Sequence, residues 1–275
     1  MSYKETRVPT TRLAIGTSGG YEMKAIVVRT CLAMVPAMLL VGWSGGSHAQ
    51  GSYQVDGNVV RLVKEMGQYL SQAESFEFSA DVTEEVLLST GEKVHLSSQS
   101  DVVVRHPDRF WVWRDTTSGS TYFTYDGRVI TAVDEGQNMF SAVRVGRTID
   151  EALDDIFEMF NVSIPLSAFI RNDPASALLR DVTRATYVGH HPLDCVVCDH
   201  VVLSSSEVEW QIWITTGRRK LPQKFVIHFK NEPGSPTVVA RFTEWHFVPV
   251  PDVRFLFEPL PGAVEIEFLE IDVEG

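Results

Sequence analysis

The 275-residue chain is 44% hydrophobic and 22% charged, values typical of a globular protein rather than a disordered one. Its formal net charge at pH 7 is −12. Binding to nucleic acid or to anionic lipid surfaces requires basic patches, so this acid excess argues against both, and no nucleic-acid partner is expected.

The first 49 residues have the pattern of an N-terminal extension followed by a signal peptide. Lys24 and Arg29 supply positive charge before the uncharged run over residues 30–43. That run is shorter than the about 20 apolar residues that a membrane-spanning helix needs. A small-x-Ala pattern ends at Ala49, which predicts cleavage before Gln50. We therefore expect an exported, periplasmic product.

The predicted mature chain, residues 50–275, has 19 basic and 34 acidic residues, a net charge of −15, and is expected to form a single domain. Asp56 is placed to cap a first helix with an apolar stripe. The hydrophobic period then changes to two, which predicts a meander of strands. The predicted strands are Phe76–Thr83, Lys93–Arg105, Phe110–Asp115, Tyr122–Tyr125, Val129–Val133 and Met139–Val145.

Helices are predicted in the middle of the chain. The sequence Thr148-Ile149-Asp150-Glu151 is a capping box, which begins a helix that reaches Phe160. Asp173-Pro174 has the N-cap and N1 residues of a second, short helix. The first of these helices has an acidic outer face and one apolar stripe, formed by Ile149, Leu153, Ile156, Phe157 and Phe160.

A second meander follows the helices, and its clearest part is the hairpin over residues 207–230. Trp210, Ile212 and Ile214 share one face of its first strand, and Trp213 lies on the other. The other predicted strands are Thr186–Gly189, Val196–Leu203, Val238–Phe247, Phe255–Phe257 and Val264–Phe268. This order predicts an α+β fold, a single large antiparallel sheet curled around helices on its concave face.

Several stretches resemble a family of predicted periplasmic proteins of unknown function that is grouped with the outer-membrane lipoprotein carriers. They are the hairpin, YFTYDGRVIT at residues 122–131, the helix over 148–160, the Cys-Asp-His region over 187–201, and residues 261–268. The resemblance covers roughly residues 58–269. It implies a half-barrel of antiparallel strands with helices on the concave face, and a role in carrying lipid or lipidated protein.

The functional hypothesis is a hydrophobic groove between the sheet and the helices. Its ligand would be an acyl chain, a lipid or a lipidated protein, with no cofactor and no enzymatic activity. Aromatic residues also pack ordinary cores, and no residue distinguishes a lined groove from a filled one. The alternative is therefore an envelope protein–protein interaction module with a self-filled core and a transient partner. The predicted groove residues are Trp111, Trp113, Trp210, Trp213, Phe157, Phe160 and Phe225.

A third hypothesis is a metal or redox site in the segment His190–His200, which contains Cys195 and Cys198. Its flanking valines favour a strand, where residues i and i+3 lie about 10 Å apart on opposite faces. A disulfide needs a Cα separation below about 7 Å. We therefore expect two buried thiols in a strand, unless a bulge at Asp194-Cys195 changes the spacing. The predicted mature chain, residues 50–275, has no Gly-x-Ser-x-Gly, His-Glu-x-x-His or P-loop motif.

Overall fold

The computed structural model describes residues 54–160, 162–164 and 166–267. The predicted signal peptide, residues 1–49, lies outside this described part of the chain. The α-helices within it are α1 (Gly57–Ser71), α2 (Ile149–Phe160), α3 (Ser167–Ile170) and α4 (Pro174–Leu179). No helix in these ranges is both long enough and apolar enough to cross a membrane.

The described strands all join one sheet. In chain order they are β1 (Ser75–Leu87), β2 (Lys93–Arg105), β3 (Arg109–Thr116), β4 (Gly119–Tyr125), β5 (Val129–Asp134), β6 (Met139–Arg144), β7 (Arg184–Leu193), β8 (Val196–Ser204), β9 (Val208–Thr215), β10 (Pro222–Phe229), β11 (Thr237–His246) and β12 (Val264–Glu265). Their order across the sheet is β12-β6-β5-β4-β3-β2-β1-β11-β10-β9-β8-β7.

Two meanders build this sheet, as predicted. Strands β1 to β6 pair consecutively and antiparallel, and so do β7 to β11. Antiparallel pairing of β1 with β11 joins the meanders, with Phe78 opposite Trp245. Strand β12 pairs in parallel with β6 at the edge of the sheet. The predicted α+β class with one open, curled and mostly antiparallel sheet is confirmed.

The helices cover the concave face of the sheet. Asp56 caps α1 as predicted, since its Oδ1 accepts a hydrogen bond of 2.8 Å from the backbone N–H of Asn58. The resulting helix buries the predicted stripe of Val59, Val63, Met66 and Leu70. These residues join one hydrophobic core with α2, α3, α4 and the inward side chains of the strands, among them Phe76, Phe78, Val102, Val104, Phe110, Val112, Ile130, Val201, Leu203, Ile212, Ile214 and Ala240.

The segment 247–263, here called the C-terminal strap, crosses the convex face of the first meander. Its carbonyl oxygens accept hydrogen bonds from convex-face side chains, with Ser75 Oγ donating to Val248 O at 2.6 Å and Thr124 Oγ1 to Phe255 O at 2.7 Å. The predicted strand Phe255–Phe257 is wrong, because residues 252–255 form a 3-10 turn. Prolines 249, 251, 259 and 261 remove backbone donors along this segment, which disfavours sheet pairing.

Candidate functional site

The predicted groove residues lie on both faces of the sheet. On the concave face, Trp210 and Phe225 belong to the buried core, and Phe160 of α2 packs against it. Phe157 is half-buried on the flank of α2, beside the buried Ile156. The structure therefore brings three of the seven residues to one core.

Contrary to the prediction, Trp111, Trp113 and Trp213 lie on the convex face and do not line the space between sheet and helices. Side chains alternate along a strand, and the neighbours of the first two, Phe110 and Val112, belong to the concave core. The same alternation along β9 places Trp213 on the face of the sheet that points away from the core. Aromatic residues occupy both faces of these strands, but the helices cover only one.

Phe169 of α3 fills the concave face above two strands of the second meander. The side chain is fully buried. Its ring centroid lies 5.2 Å from that of Phe225 on β10 and 5.1 Å from that of Phe242 on β11, in edge-to-face geometry. Trp245 extends this aromatic group, since its ring centroid lies 5.5 Å from that of Phe242. The protein's own side chains therefore fill the interface at this point.

Two indole N–H groups at the sheet–helix interface have no hydrogen-bond partner among the described residues. Trp210 is only 6% exposed, and its Nε1 is buried without an acceptor. The buried Nε1 of Trp245, which lies on β11 opposite Phe78, also lacks one. A buried donor without a partner costs about 1–3 kcal/mol. An oxygen atom of a bound molecule would remove this cost, so the apolar interface contains two positions that favour an acceptor.

The predicted capping box begins α2, the helix that closes the interface. The backbone N–H of Glu151 donates to Thr148 Oγ1 at 3.2 Å, and the N–H of Thr148 donates back to Glu151 Oε2 at 3.1 Å. Backbone N–H groups of Arg147 and Thr148 hold the pKa of Glu151 below its usual range. The start of α2 is thus fixed by local contacts.

Polar contacts connect α2 to the chain that follows α3. Arg171 donates to Asp154 Oδ1 at 2.6 Å and lies 3.5 Å from Asp150 Oδ1. Three further hydrogen bonds hold α2: the N–H of Gly146 donates to Asp155 Oδ2 at 2.7 Å, that of Asn172 to Asp150 Oδ2 at 3.1 Å, and that of Ile149 to Pro107 O at 2.9 Å. The buried side chains of Ile149, Ala152, Leu153 and Ile156 complete the attachment.

The segment His190–His200 forms parts of β7 and β8 and the turn between them. Asp199 accepts a hydrogen bond from Tyr187 Oη at 2.8 Å and pairs with His190 Nε2 at 3.0 Å. The ring of His200 stacks on Trp213 with 3.9 Å between centroids. Across residues 54–160, 162–164 and 166–267, no group of three or more His, Cys, Asp or Glu side chains is arranged to hold a metal ion.

Cys198 is buried on β8 as expected, but the expectation that Cys195 is a buried strand residue is wrong. Cys195 is exposed and forms the two-residue turn between β7 and β8 together with Asp194. Both turn residues have positive φ, 48° for Asp194 and 58° for Cys195. Such a turn matches the twist of the paired strands, which is why two non-glycine residues adopt these angles here.

We expect the two thiols to differ strongly in reactivity. Burial, followed by the charge of Asp199, raises the pKa of the Cys198 thiol to about 11, so little thiolate forms near pH 8. In protein beginning at Gln50, Ellman's reagent should label Cys195 rapidly and Cys198 only on unfolding. The Cys195→Ser variant is the control and should lose the fast phase; equal rates for both thiols would contradict the structure.

The comparisons with known proteins give a family and several similar folds. No curated protein matches the sequence. The structure is similar to the Mycobacterium tuberculosis lipoprotein LppX, with a TM-score of 0.46, 13% identity, and coverage of 71% of this chain and 98% of that one. It is also similar to an uncharacterized conserved protein from Thermus thermophilus, with a TM-score of 0.45, 10% identity, and coverage of 75% of this chain and 97% of that one.

A third similar structure is a LolA superfamily protein from Nitrosomonas europaea, with a TM-score of 0.37, 8% identity, and coverage of 72% of this chain and 97% of that one. The family model described as "Predicted periplasmic protein (DUF2092)" matches residues 60–269, which is more than half of the chain. The chain therefore belongs to this family of predicted periplasmic proteins.

Proposed function

We propose that this protein is an exported, non-enzymatic binding protein that holds the apolar part of a ligand between the concave face of its sheet and the helices α2 and α3. The ligand would be an acyl chain, a lipid or a lipidated protein. In the same proposal, residues 1–49 are removed as a signal peptide and residues 50–275 form a single domain.

The observation that carries this proposal is the buried, unpaired Nε1 of Trp210 in an otherwise apolar interface. Ligand pockets are usually apolar, with a few polar groups that fix the orientation of the ligand. An acyl chain attached to an ester, amide or carboxylate matches both features. Its hydrocarbon would replace apolar contacts, and its oxygen would accept from the indole.

Access requires α2 to move away from the sheet. Exposing each of its buried side chains, such as Ile149 or Ile156, would cost about 1.5–3 kcal/mol if nothing replaced the contacts. A bound acyl chain would replace them. The outer face of α2 is acidic and exposed at Glu151 and Glu158, so it would remain in water in either position.

A pair of substitutions on α2 tests this proposal. Phe157 is half-buried next to the buried Ile156 of α2, and the adjacent Glu158 is exposed. We expect Phe157→Asp to weaken binding of a fluorescent fatty acid at least about tenfold, which is about 1.4 kcal/mol. The reason is that the carboxylate of the new aspartate would have to lie against the hydrocarbon chain of the fatty acid. The matched control Glu158→Gln should bind like wild type. Fluorescence titration measures the affinities, and circular dichroism verifies the fold.

An envelope protein–protein interaction module is the second candidate, because Phe169, Phe225 and Phe242 already fill the interface. Organic extraction of the purified protein followed by mass spectrometry distinguishes this candidate from the ligand-binding protein. A co-purifying acyl compound would support the ligand proposal. No saturable binding of the fatty acid, or equal binding by wild type and Phe157→Asp, would leave the interaction module as the better description.

A further inference from the structure

A groove of about 740 Å³ lies on the convex face, between the C-terminal strap and strands β1 to β4. This volume is within the range of about 300–1,000 Å³ that ligand sites occupy. Its floor is aromatic and consists of Trp111, Trp113 and Tyr122, with 6.2 Å between the ring centroids of Trp111 and Tyr122. On the strap, Val253 is 71% and Leu256 55% exposed, so the groove also has an apolar rim.

The groove is acidic. Three carboxylates, of Glu77, Asp101 and Glu135, line it together with one cationic residue, Arg254. In the described part of the chain, none of the three forms an ion pair with a Lys, Arg or His side chain, although Asp101 accepts a hydrogen bond of 2.6 Å from Ser79. Unpaired carboxylates around a partly enclosed aromatic floor attract cations and repel anions.

The floor already holds one cationic side chain. The guanidinium carbon of Arg254, on the strap, lies 3.8 Å from the centroid of the Trp111 ring, a cation–π arrangement. Trp113 has the same kind of face, and its orientation is fixed because Nε1 donates to Glu135 Oε2 at 3.1 Å. Among the described residues no cation lies over the Trp113 ring.

We propose that this groove binds an extended peptide segment of another protein, which places an arginine or lysine side chain on Trp113 beside Glu135. Apolar residues of the segment on either side of the cation would contact Val253 and Leu256. The strap shows the required chemistry within one chain, since Arg254, in the 3-10 turn over residues 252–255, places its guanidinium over the Trp111 ring. This site lies on the opposite face from the proposed lipid site and does not depend on it.

The test uses a blocked peptide, Val-Pro-Val-Arg-Val-Pro-Val, carrying a neutral fluorophore, with anisotropy as the readout. Its matched control replaces arginine with citrulline, which has nearly the same shape and no charge. We expect saturable binding that is at least about fivefold weaker for the citrulline peptide and for the Trp113→Leu variant. Glu135→Gln should weaken binding and reduce its dependence on salt.

Trp213→Leu is the control for the protein, because Trp213 is also a tryptophan on the convex face but lies outside the groove. It should bind the arginine peptide like wild type. Equal binding of the two peptides would overturn the proposal, as would equal losses in Trp113→Leu and Trp213→Leu. If methylguanidinium alone bound as tightly as the peptide, the assignment to a peptide would be wrong. Should Trp113→Leu fail to fold, the citrulline peptide and Glu135→Gln decide the question.

Discussion

Replacing Phe169 with alanine is expected to lower the free energy of unfolding by about 3–5 kcal/mol, the usual cost of removing a fully buried phenylalanine. The side chain is completely buried and contacts both Phe225 and Phe242 edge to face. Its loss leaves an apolar cavity at the position where we propose that an acyl chain binds. Phe169→Ala should therefore also bind a fluorescent fatty acid several-fold more tightly than wild type.

Urea denaturation measures the first effect and fluorescence titration the second. The control is Phe257→Ala on the convex face, where Phe257 is only half-buried and lies 4.8 Å from Phe140 between ring centroids. We expect it to cost about 1 kcal/mol, in the range for an aromatic pair, and to leave fatty-acid binding unchanged. A destabilised Phe169→Ala that binds the fatty acid no better than wild type would contradict the proposed ligand position.

Replacing Gly67 with leucine is expected to destabilise the protein by about 2 kcal/mol, because α1 and α4 pack too closely for a side chain there. A Cβ atom at Gly67 would lie 2.7 Å from both Cβ and the backbone nitrogen of Ala175. Overpacking of this kind costs about 1–3 kcal/mol and occasionally more. The higher helix propensity of leucine relative to glycine offsets up to about 1 kcal/mol of this cost.

The control lies in the same helix. A Cβ at Gly57, the first residue of α1, would meet no atom within 4 Å. Gly57→Ala should therefore stabilise the protein by up to about 1 kcal/mol, since alanine restricts the unfolded chain and favours the helix. Thermal or urea denaturation of both variants measures whether each substitution raises or lowers the free energy of unfolding. A stabilising Gly67→Leu would show that the two helices are not held at this distance.

Features that depend on a few neighbouring residues were predictable from the sequence. The capping box of Thr148 and Glu151 is closed by hydrogen bonds over three positions, so its residues alone specify it. The two-residue turn Asp126-Gly127, between the predicted strands Tyr122–Tyr125 and Val129–Val133, is another case. Asp126 Oδ1 accepts from the N–H of Arg128 and of Val129, and Gly127 has a φ of +90°.

The candidate site was only partly predictable. The alternation of side chains correctly grouped Trp111 with Trp113, but it did not identify the face that the helices cover. The neighbouring Phe110 and Val112 are as apolar as Trp111 and Trp113, so the sequence is consistent with burial of either face of β3. The unpaired Trp210 N–H had no sequence signal at all, because it reflects the absence of an acceptor among the described residues distant in the chain.

By itself, the sequence determined the membership in a family of predicted periplasmic proteins, the two meanders with helices between them, and the α+β class with one mostly antiparallel sheet. The meanders, the helices and the fold class follow from hydrophobic periods, caps and turns, whose energies arise within a few residues. Only the tertiary structure determined which face of the sheet the helices cover and which face the strap crosses. It placed Phe169 against Phe225 on the concave side and the strap over Trp111 on the convex side. Such contacts join residues far apart in the chain, and local sequence patterns do not specify which distant partners meet.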